Sequence, residues 1–251
     1  MIKLFSDWRR KRILDTIQVS DEQWSAAEAR LPFLGHLDGN DRQRLRAMAR
    51  EFLAEKEWST AQDLVLTPAM QLSIALQACL PVLNLGLDHY GGWVGIVVYP
   101  GDFLIPRSIM DEDGIVHEYD EPALGEAWEG GPVLVSWLED DEDLRGVNVV
   151  IHEFAHKLDM ENGAIDGFPR LPADMSRQEW SAAFEPAYED FCDRVDTGEE
   201  TELDPYGTEH PAEFFAVMSE AFFETPELLR DEYPAVYEQL KRFYRQDPAS
   251  H

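Results

Sequence analysis

The pentapeptide His152-Glu153-Phe154-Ala155-His156 combines residue types that together can activate water. In a helix, side chains four positions apart lie on one face, so both imidazoles can bind one metal ion while Glu153 stays beside it. Zinc suits two imidazoles with a carboxylate and keeps a fourth position for water, whose pKa it lowers to about 7. The pattern predicts hydrolysis by metal-activated water, with Glu153 as the general base.

Chance is a poor explanation of this pentapeptide. With 7 histidines and 50 acidic residues among 251 positions, about 0.04 such pentapeptides are expected. The alternative is an exposed helix that carries two ordinary histidines. The apolar residues Val147, Val149, Val150 and Ile151 directly before the pentapeptide favour a buried helix instead.

A zinc site of this kind needs a third protein ligand, which is expected on a second helix. The segment 210–223 predicts such a helix, because proline stands near its start and Pro226 beyond its end. Glu213 falls in the first turn, where the helix dipole favours an ionised carboxylate. Glu220 and Glu224 share roughly the same face, so spacing alone leaves Glu213 and Glu220 as alternatives. Glu220 can also be a hydrogen-bond partner of a ligand histidine, whereas Glu224 is expected to be solvated.

Two further residues are candidates for supporting roles. Tyr206 lies in a turn-like stretch and could donate a hydrogen bond to the oxyanion formed when water attacks an amide. An exposed loop tyrosine is the alternative. Asp159 follows His156 by three positions and could orient a ligand imidazole through the ring nitrogen that the metal does not use. It could equally bond the turn at 162–163, where the helix is predicted to end.

The elements around these residues are predicted to be helices, then a small sheet, then helices. Apolar residues at helical spacing predict helices over 41–56 and 67–80. Short β-like runs predict strands over 94–99, 103–105, 114–119 and 133–137. After an acidic loop, Glu139 to Asp143, helical periodicity returns. This order, without alternating βαβ units, predicts a mostly helical α+β fold with a small mixed β-sheet. We expect one domain over 1–251, with a helical N-terminal part (1–66) and a catalytic core (67–251).

Charge and hydropathy restrict the partners and the compartment. The chain has 21 Lys+Arg and 50 Asp+Glu, and its net charge of −29 disfavours a nucleic acid partner. The one basic cluster, Arg9 to Arg12, is expected to lie on a solvated first helix rather than on a membrane- or partner-docking one. The most apolar stretch, 72–87, is interrupted by polar residues and proline, which predicts a core helix rather than a membrane span. No secretory signal is evident, and the two cysteines lie in apolar surroundings, so we expect a cytoplasmic protein.

Several segments together resemble the Mlc titration factor A family of glucose-regulated zinc metallopeptidases. They are HEFAHKLD at 152–159, Tyr206 followed by PAEFFAV and SEAFF, and the earlier LTPAMQLSIALQACLPVLNLGLDHYGGW and IVVYPGDF. The resemblance extends over nearly the whole chain. The position of Tyr206 ahead of Glu-Phe-Phe-Ala is also similar, more distantly, to the catalytic domain of anthrax lethal factor.

This resemblance implies a zincin-type active-site helix and one Zn²⁺ per chain. The roles it implies are zinc ligand for His152, His156 and Glu213, general base for Glu153, and transition-state hydrogen-bond donor for Tyr206. It thereby selects Glu213 over Glu220 as the third ligand. Asp159 and Glu220 remain candidates to support the ligand histidines.

The resemblance also implies two functions of different classes. One is a gluzincin-type peptidase, aminopeptidase-like on small peptide or protein substrates and linked to the regulation of sugar uptake. The other is a binding protein that sequesters a transcriptional repressor, for which the acidic surface could compete with DNA. A peptide substrate is expected to pair with a sheet edge above the metal helix. The nearest predicted strand is Val133–Trp137, and the alternative is that this strand is internal.

Overall fold

A computed structural model describes residues 17–110, 116–137 and 148–250. The basic first helix expected at Arg9 to Arg12 and the acidic loop expected at Glu139 to Asp143 lie outside these residues.

The described part of the chain consists mainly of α-helices. Before the sheet come α1 (Asp21–Ala29), α2 (Gly39–Glu55) and α3 (Pro68–Cys79), and after it come α4 (Val149–Asp159), α5 (Arg177–Asp196), α6 (Pro211–Glu224), α7 (Pro226–Glu232) and α8 (Pro234–Tyr244). The predicted helices at 41–56 and 67–80 correspond to α2 and α3. The side chain of Thr67 caps α3 directly before Pro68, a residue suited to the first helical position. No described helix combines the length and the apolar character needed to cross a bilayer.

Six strands accompany these helices in the described residues. They are β1 (Glu57–Thr60), β2 (Gly95–Tyr99), β3 (Phe103–Met110), β4 (Val116–Ala123), β5 (Gly125–Ala127) and β6 (Val133–Ser136). Four form a mixed sheet in the order β1-β2-β6-β5, with β2 parallel to both β1 and β6 and with β5 antiparallel to β6. β3 and β4 form a separate antiparallel hairpin. The predicted mostly helical α+β fold with a small mixed sheet is confirmed.

Details of the sheet differ from the prediction. Within the described residues, a single βαβ unit is present that the sequence pattern did not indicate, because α3 connects the parallel neighbours β1 and β2. β1 and β5 are not predicted, because strands of 4 and 3 residues are too short for an alternating pattern to be recognised. β4 continues past the predicted end at Tyr119, because its pairing with β3 extends to Ala123 opposite Phe103.

The core fixes α4 and α6 against each other. Residues on all sides of α6 are buried, and α4 packs along it. On one side of this pair, Trp180 and Phe184 of α5 stack with ring centroids 4.2 Å apart and lie near Phe215 of α6. On the other side, the ring of Phe154 in α4 contacts the rings of Phe52, Tyr90 and Trp93. Burial of these large rings stabilises the two helices in one arrangement.

Lys56 ties the start of β1 to the segment before β2. Its ammonium donates hydrogen bonds to the carbonyl oxygens of Tyr90 at 2.8 Å and Trp93 at 2.9 Å, and it lies 3.4 Å from the centroid of the Trp93 ring. Lys56 is only 8% exposed. Burial lowers the pKa of Lys56 to about 8, because a low-dielectric environment disfavours the charged form.

We expect the contribution of Lys56 to the free energy of unfolding to depend on pH. The pKa of Lys56 is about 8 in the folded chain and lies below its ordinary value of 10.5. Between pH 8 and pH 10.5, Lys56 therefore takes up a proton when the chain unfolds. The stability that Lys56 contributes is therefore complete above the unfolded pKa and is lost as the pH falls through the folded pKa. Urea unfolding of the wild type and of Lys56→Met at several pH values measures this difference, which should shift in favour of the wild type as the pH rises.

Lys241 of α8, whose side chain is half-buried, gives the control for this measurement. Lys241→Met should show no such rise over the same pH range, because the hydrogen bond with Asp247 raises the pKa of Lys241 above its ordinary value. A difference between wild type and Lys56→Met that stays constant with pH would contradict the proposed burial of the charge.

Candidate active site

Asn148 fixes the point at which α4 begins. Its side-chain oxygen accepts a hydrogen bond from the backbone N–H of Ile151 at 2.9 Å, the geometry of an N-cap. Its side-chain amide donates to Gln77 of α3 at 2.8 Å and to Glu224 of α6 at 2.6 Å. Its backbone N–H donates to Glu220 of α6. The start of α4 is therefore held by both neighbouring helices.

Two of these contacts differ from what the sequence suggested. The expectation that Glu224 is solvated is wrong, because it accepts the hydrogen bond from Asn148 and its burial raises its pKa. Asn148 is not among the predicted site residues. An asparagine directly before an apolar helical run is an N-cap signal that could have identified it.

The first turn of α6 presents Glu213 to α4. Nδ1 of His210 accepts a hydrogen bond from the helix backbone at 3.2 Å, and Pro211 occupies the first helical position. Burial alone raises the pKa of Glu213, but the hydrogen bonds and charges of His152 and His156 bring it below its ordinary value. The carboxylate is therefore in the ionised form that a metal ion requires.

Three side chains converge on one point between α4 and α6. Nε2 of His152 lies 3.0 Å from Oε2 of Glu213, Nε2 of His156 lies 3.1 Å from the same oxygen, and the two Nε2 atoms are 3.1 Å apart. Tetrahedral ligand atoms about 2.0–2.1 Å from zinc lie about 3.3 Å from one another. The triangle is close to this size and leaves one coordination position to a further group. Among the described residues, it is the one cluster of three such side chains that could hold a metal ion.

Glu220 holds the ring of His152 in the orientation that this convergence needs. Its Oε1 is 2.6 Å from Nδ1 of His152, and its other oxygen accepts the backbone N–H of Asn148. Because the carboxylate takes the bond at Nδ1, Nε2 is left to face Glu213 and a metal ion. Burial opposes protonation of His152, but Glu220 and Glu213 raise its pKa above the ordinary value. The structure thus gives Glu220 the contact expected of a partner to a ligand histidine.

Glu153 lies beside β5, in the wall of a cleft of about 290 Å³. It is only 4% exposed, and its Oε2 has no hydrogen-bond partner within the described part of the chain. Burial raises the pKa of Glu153 to about 7. A carboxyl group with such a pKa can take up and release a proton near neutral pH.

Tyr206 lines the same cleft from a short 3₁₀ helix, Pro205–Thr208. Its ring centroid is 6.0 Å from that of His152, and the residue is 48% exposed. Asp204 accepts a hydrogen bond from the backbone N–H of Tyr206 at 2.9 Å and so holds the turn. The phenol is therefore near the convergent side chains and open to the cleft.

The cleft is also lined by residues that the sequence analysis does not select. They include Glu121 and Pro122 of β4, Gly125 of β5, and Asp204. Nothing in the local sequence marks Glu121, Pro122 or Gly125, because they reach the cleft through the pairing of β5 with β6 and the placement of the hairpin. Asp204 borders the cleft through the turn that also carries Tyr206.

Asp159 is fully buried at the end of α4. Its Oδ2 accepts a hydrogen bond from the backbone N–H of Gly167 at 2.8 Å, so its bond goes to the following loop rather than to the turn at 162–163. Its Oδ1 and the Nδ1 of His156 are both buried, and neither has a hydrogen-bond partner in the described residues. The orientation of a ligand imidazole by Asp159 stays a prediction.

The sheet edge next to this site is β5. β6 lies between β2 and β5, and all four of its residues are buried. The alternative that Val133–Trp137 is an internal strand is confirmed, so within the described residues β5 is the sheet edge on this side. α4 packs against β5, which brings this edge close to Glu153.

Replacing Glu220 with Gln should weaken zinc binding by about 10- to 100-fold. The amide oxygen can still accept the bond from His152, but the amide nitrogen then faces the backbone N–H of Asn148, which loses its acceptor. Competition with a zinc-binding dye measures the change. Glu224→Gln is the matched control, because this neighbouring acid bonds the side chain of Asn148 and should leave the zinc affinity nearly unchanged. Equal weakening in both variants would contradict the orienting role of Glu220.

The comparisons with known proteins agree with a metal-dependent site. The sequence model of the family "Glucose-regulated metallo-peptidase M90" matches residues 5–245. The chain is 42% identical over 232 residues to Mlc titration factor A of Serratia proteamaculans, covering 90% of this chain and 87% of that protein. It is 40% identical over 232 residues to Mlc titration factor A of Pectobacterium atrosepticum, with the same coverage of both chains. It is also 40% identical over 231 residues to Mlc titration factor A of Yersinia pestis, covering 90% of this chain and 85% of that protein. The chain therefore belongs to the glucose-regulated metallopeptidase family M90.

Proposed function

We propose that the chain is a zinc-dependent peptidase of the gluzincin type, in which His152, His156 and Glu213 hold one zinc ion. The observation that carries the proposal is the triangle of ligand atoms with sides of 3.0–3.1 Å beside the buried carboxyl group of Glu153. Membership of a metallopeptidase family supports a metal-dependent reaction.

The residues around the triangle then have separate tasks. Zinc held by His152, His156 and Glu213 would lower the pKa of a water molecule to about 7 and would polarise a carbonyl group. Glu153 takes the proton from the attacking water and passes it to the leaving amine. Tyr206 donates a hydrogen bond to the oxyanion. Glu220 keeps His152 in place throughout the reaction.

The cleft supports an aminopeptidase-like specificity for small peptides. An extended peptide can add to the edge of β5 through main-chain hydrogen bonds. Glu121 and Asp204 line the same cleft together with Glu153. Carboxylates in the wall of a cleft attract a positively charged group, and the free amino terminus of a short peptide is such a group.

The cysteines support activity in the reducing environment of the cytoplasm. Cys79 and Cys192 are both free thiols, and Cys79 is fully buried. Paired cysteines are typical of oxidising compartments, whereas buried free thiols are ordinary in a reducing one.

Replacing Glu153 with Gln should abolish most hydrolysis while zinc stays bound. The amide has the same shape but cannot take up a proton, so kcat should fall by about 10²- to 10⁴-fold. Hydrolysis of amino acid anilides and zinc analysis of the purified variant measure the two effects. Glu189→Gln, which changes an exposed acid on α5, should keep full activity. Undiminished turnover by the Glu153 variant would refute the mechanism.

The second proposed function is sequestration of the repressor Mlc. Two observations favour it: the related proteins are named Mlc titration factor A, and the chain carries a net charge of −29. A strongly acidic surface attracts a basic DNA-binding protein and competes with DNA for it. We propose that this function uses a surface distinct from the zinc site, so both functions can belong to one chain.

Binding of purified Mlc should survive the loss of the zinc chemistry. Glu153→Gln and His152→Ala should both bind Mlc as the wild type does, because the proposed surface does not include these residues. Calorimetric titration at two salt concentrations measures the affinity, which should fall as salt screens the charges. Cleavage of Mlc by the wild type combined with loss of the effect in Glu153→Gln would contradict sequestration.

A further inference from the structure

Gly125 of β5 occupies the place where a side chain would collide with Glu153. A Cβ atom built on Gly125 would lie 2.3 Å from Oε1, 2.6 Å from Cγ and 2.7 Å from Cδ of Glu153. Ordinary contacts between such atoms are about 3.5–4.0 Å. The three nearest neighbours of this missing Cβ thus all belong to one side chain, the proposed general base.

The backbone of Gly125 gives no other reason for a glycine. Its φ is not among the positive values found in the described residues, so an L-residue can adopt its conformation. Gly125 is also paired within the sheet opposite Val135. Glycine in a strand is unfavourable because it loses more conformational freedom on folding than other residues, and it often marks a close approach by another group. The close approach at this position is that of Glu153.

Glu153 cannot avoid a new Cβ without leaving its position. To restore an ordinary contact, its Oε1 has to move by more than about 1 Å. The side chain is 4% exposed, and it follows directly after the ligand His152 on the same helix. A misplacement of about 1 Å at a reacting group can lower a rate by about 10²-fold.

We propose that Gly125 is a positioning residue, which keeps open the space beside β5 that Glu153 needs in order to act as the general base. This inference rests on the proposed function of Glu153. It does not involve the zinc ligands, so a variant at Gly125 keeps its zinc.

The first test compares Gly125→Ala with Gly101→Ala. Gly101 lies between β2 and β3, has an ordinary φ and has no atom within 4 Å of its missing Cβ. Gly125→Ala should lower kcat for an amino acid anilide by about 10- to 100-fold, with KM and the zinc content nearly unchanged, whereas Gly101→Ala should keep the activity of the wild type. Unchanged kcat in Gly125→Ala would overturn the inference.

A double-mutant cycle shows whether Gly125 acts through Glu153. In the Glu153→Gln background there is no base to misplace, so adding Gly125→Ala should leave the residual turnover nearly unchanged. A further loss equal to that seen in the wild-type background would overturn the inference. Full activity of Glu153→Gln alone would instead overturn the proposed function, which separates the two failures.

A second cycle uses stability and needs no activity. Glu153→Ala removes all three atoms that the new Cβ would meet. Gly125→Ala should therefore lower the thermal unfolding midpoint when Glu153 is present and should leave it equal or higher when residue 153 is Ala. The same decrease in both backgrounds would show that the collision with Glu153 is not the cause and would overturn the inference.

Discussion

The site depends on one buried carboxylate, that of Glu220. One of its oxygens holds Nδ1 of His152 at 2.6 Å, and the other accepts the backbone N–H of Asn148, the residue that caps α4. A single side chain of α6 therefore fixes both the starting point of α4 and the rotation of a ring one turn further along. Such a bond also decides which imidazole nitrogen faces a metal ion. If α4 shifted along α6, both bonds would break together, so the two helices have one well-defined register.

The rest of the fold supports this register from several directions. The ring of Phe154 in α4 contacts the rings of Phe52 and Tyr90. On the other side of the helix pair, the stacked rings of Trp180 and Phe184 in α5 pack against α6. At the far end of α4, Lys157 donates hydrogen bonds to the carbonyl oxygens of Trp128 and Gly131, which lie between β5 and β6. These bonds hold the edge strand beside Glu153. Catalytic groups carried by elements packed in this way keep their geometry better than groups on free loops.

The parts of this arrangement that follow local patterns could be predicted from the sequence. The helix that carries Glu213 has a clear start signal in Pro211, and the spacing of His152 and His156 indicates a shared metal ion. Spacing did not distinguish Glu213 from Glu220, because residues seven positions apart occupy one helix face. Only the packing of α6 on α4 gives them different partners. Gly125 carries no local signal either, because the reason for this glycine is a side chain 28 positions later in the chain.

The charges explain why acids are tolerated in a helix as apolar as α6. Burial of a carboxylate is costly unless an opposite charge or hydrogen bonds compensate it. Glu213 has the two histidines, and Glu220 has His152 and the backbone of Asn148. A divalent cation bound at the triangle would add two positive charges at the same place. Glu153 alone among these acids has a carboxyl oxygen that is buried and lacks a hydrogen-bond partner within the described residues. Its burial raises its pKa to about 7. Glu213 and Glu153 therefore have pKa shifts in opposite directions within one site, because the histidines compensate the burial of Glu213 but only partly that of Glu153.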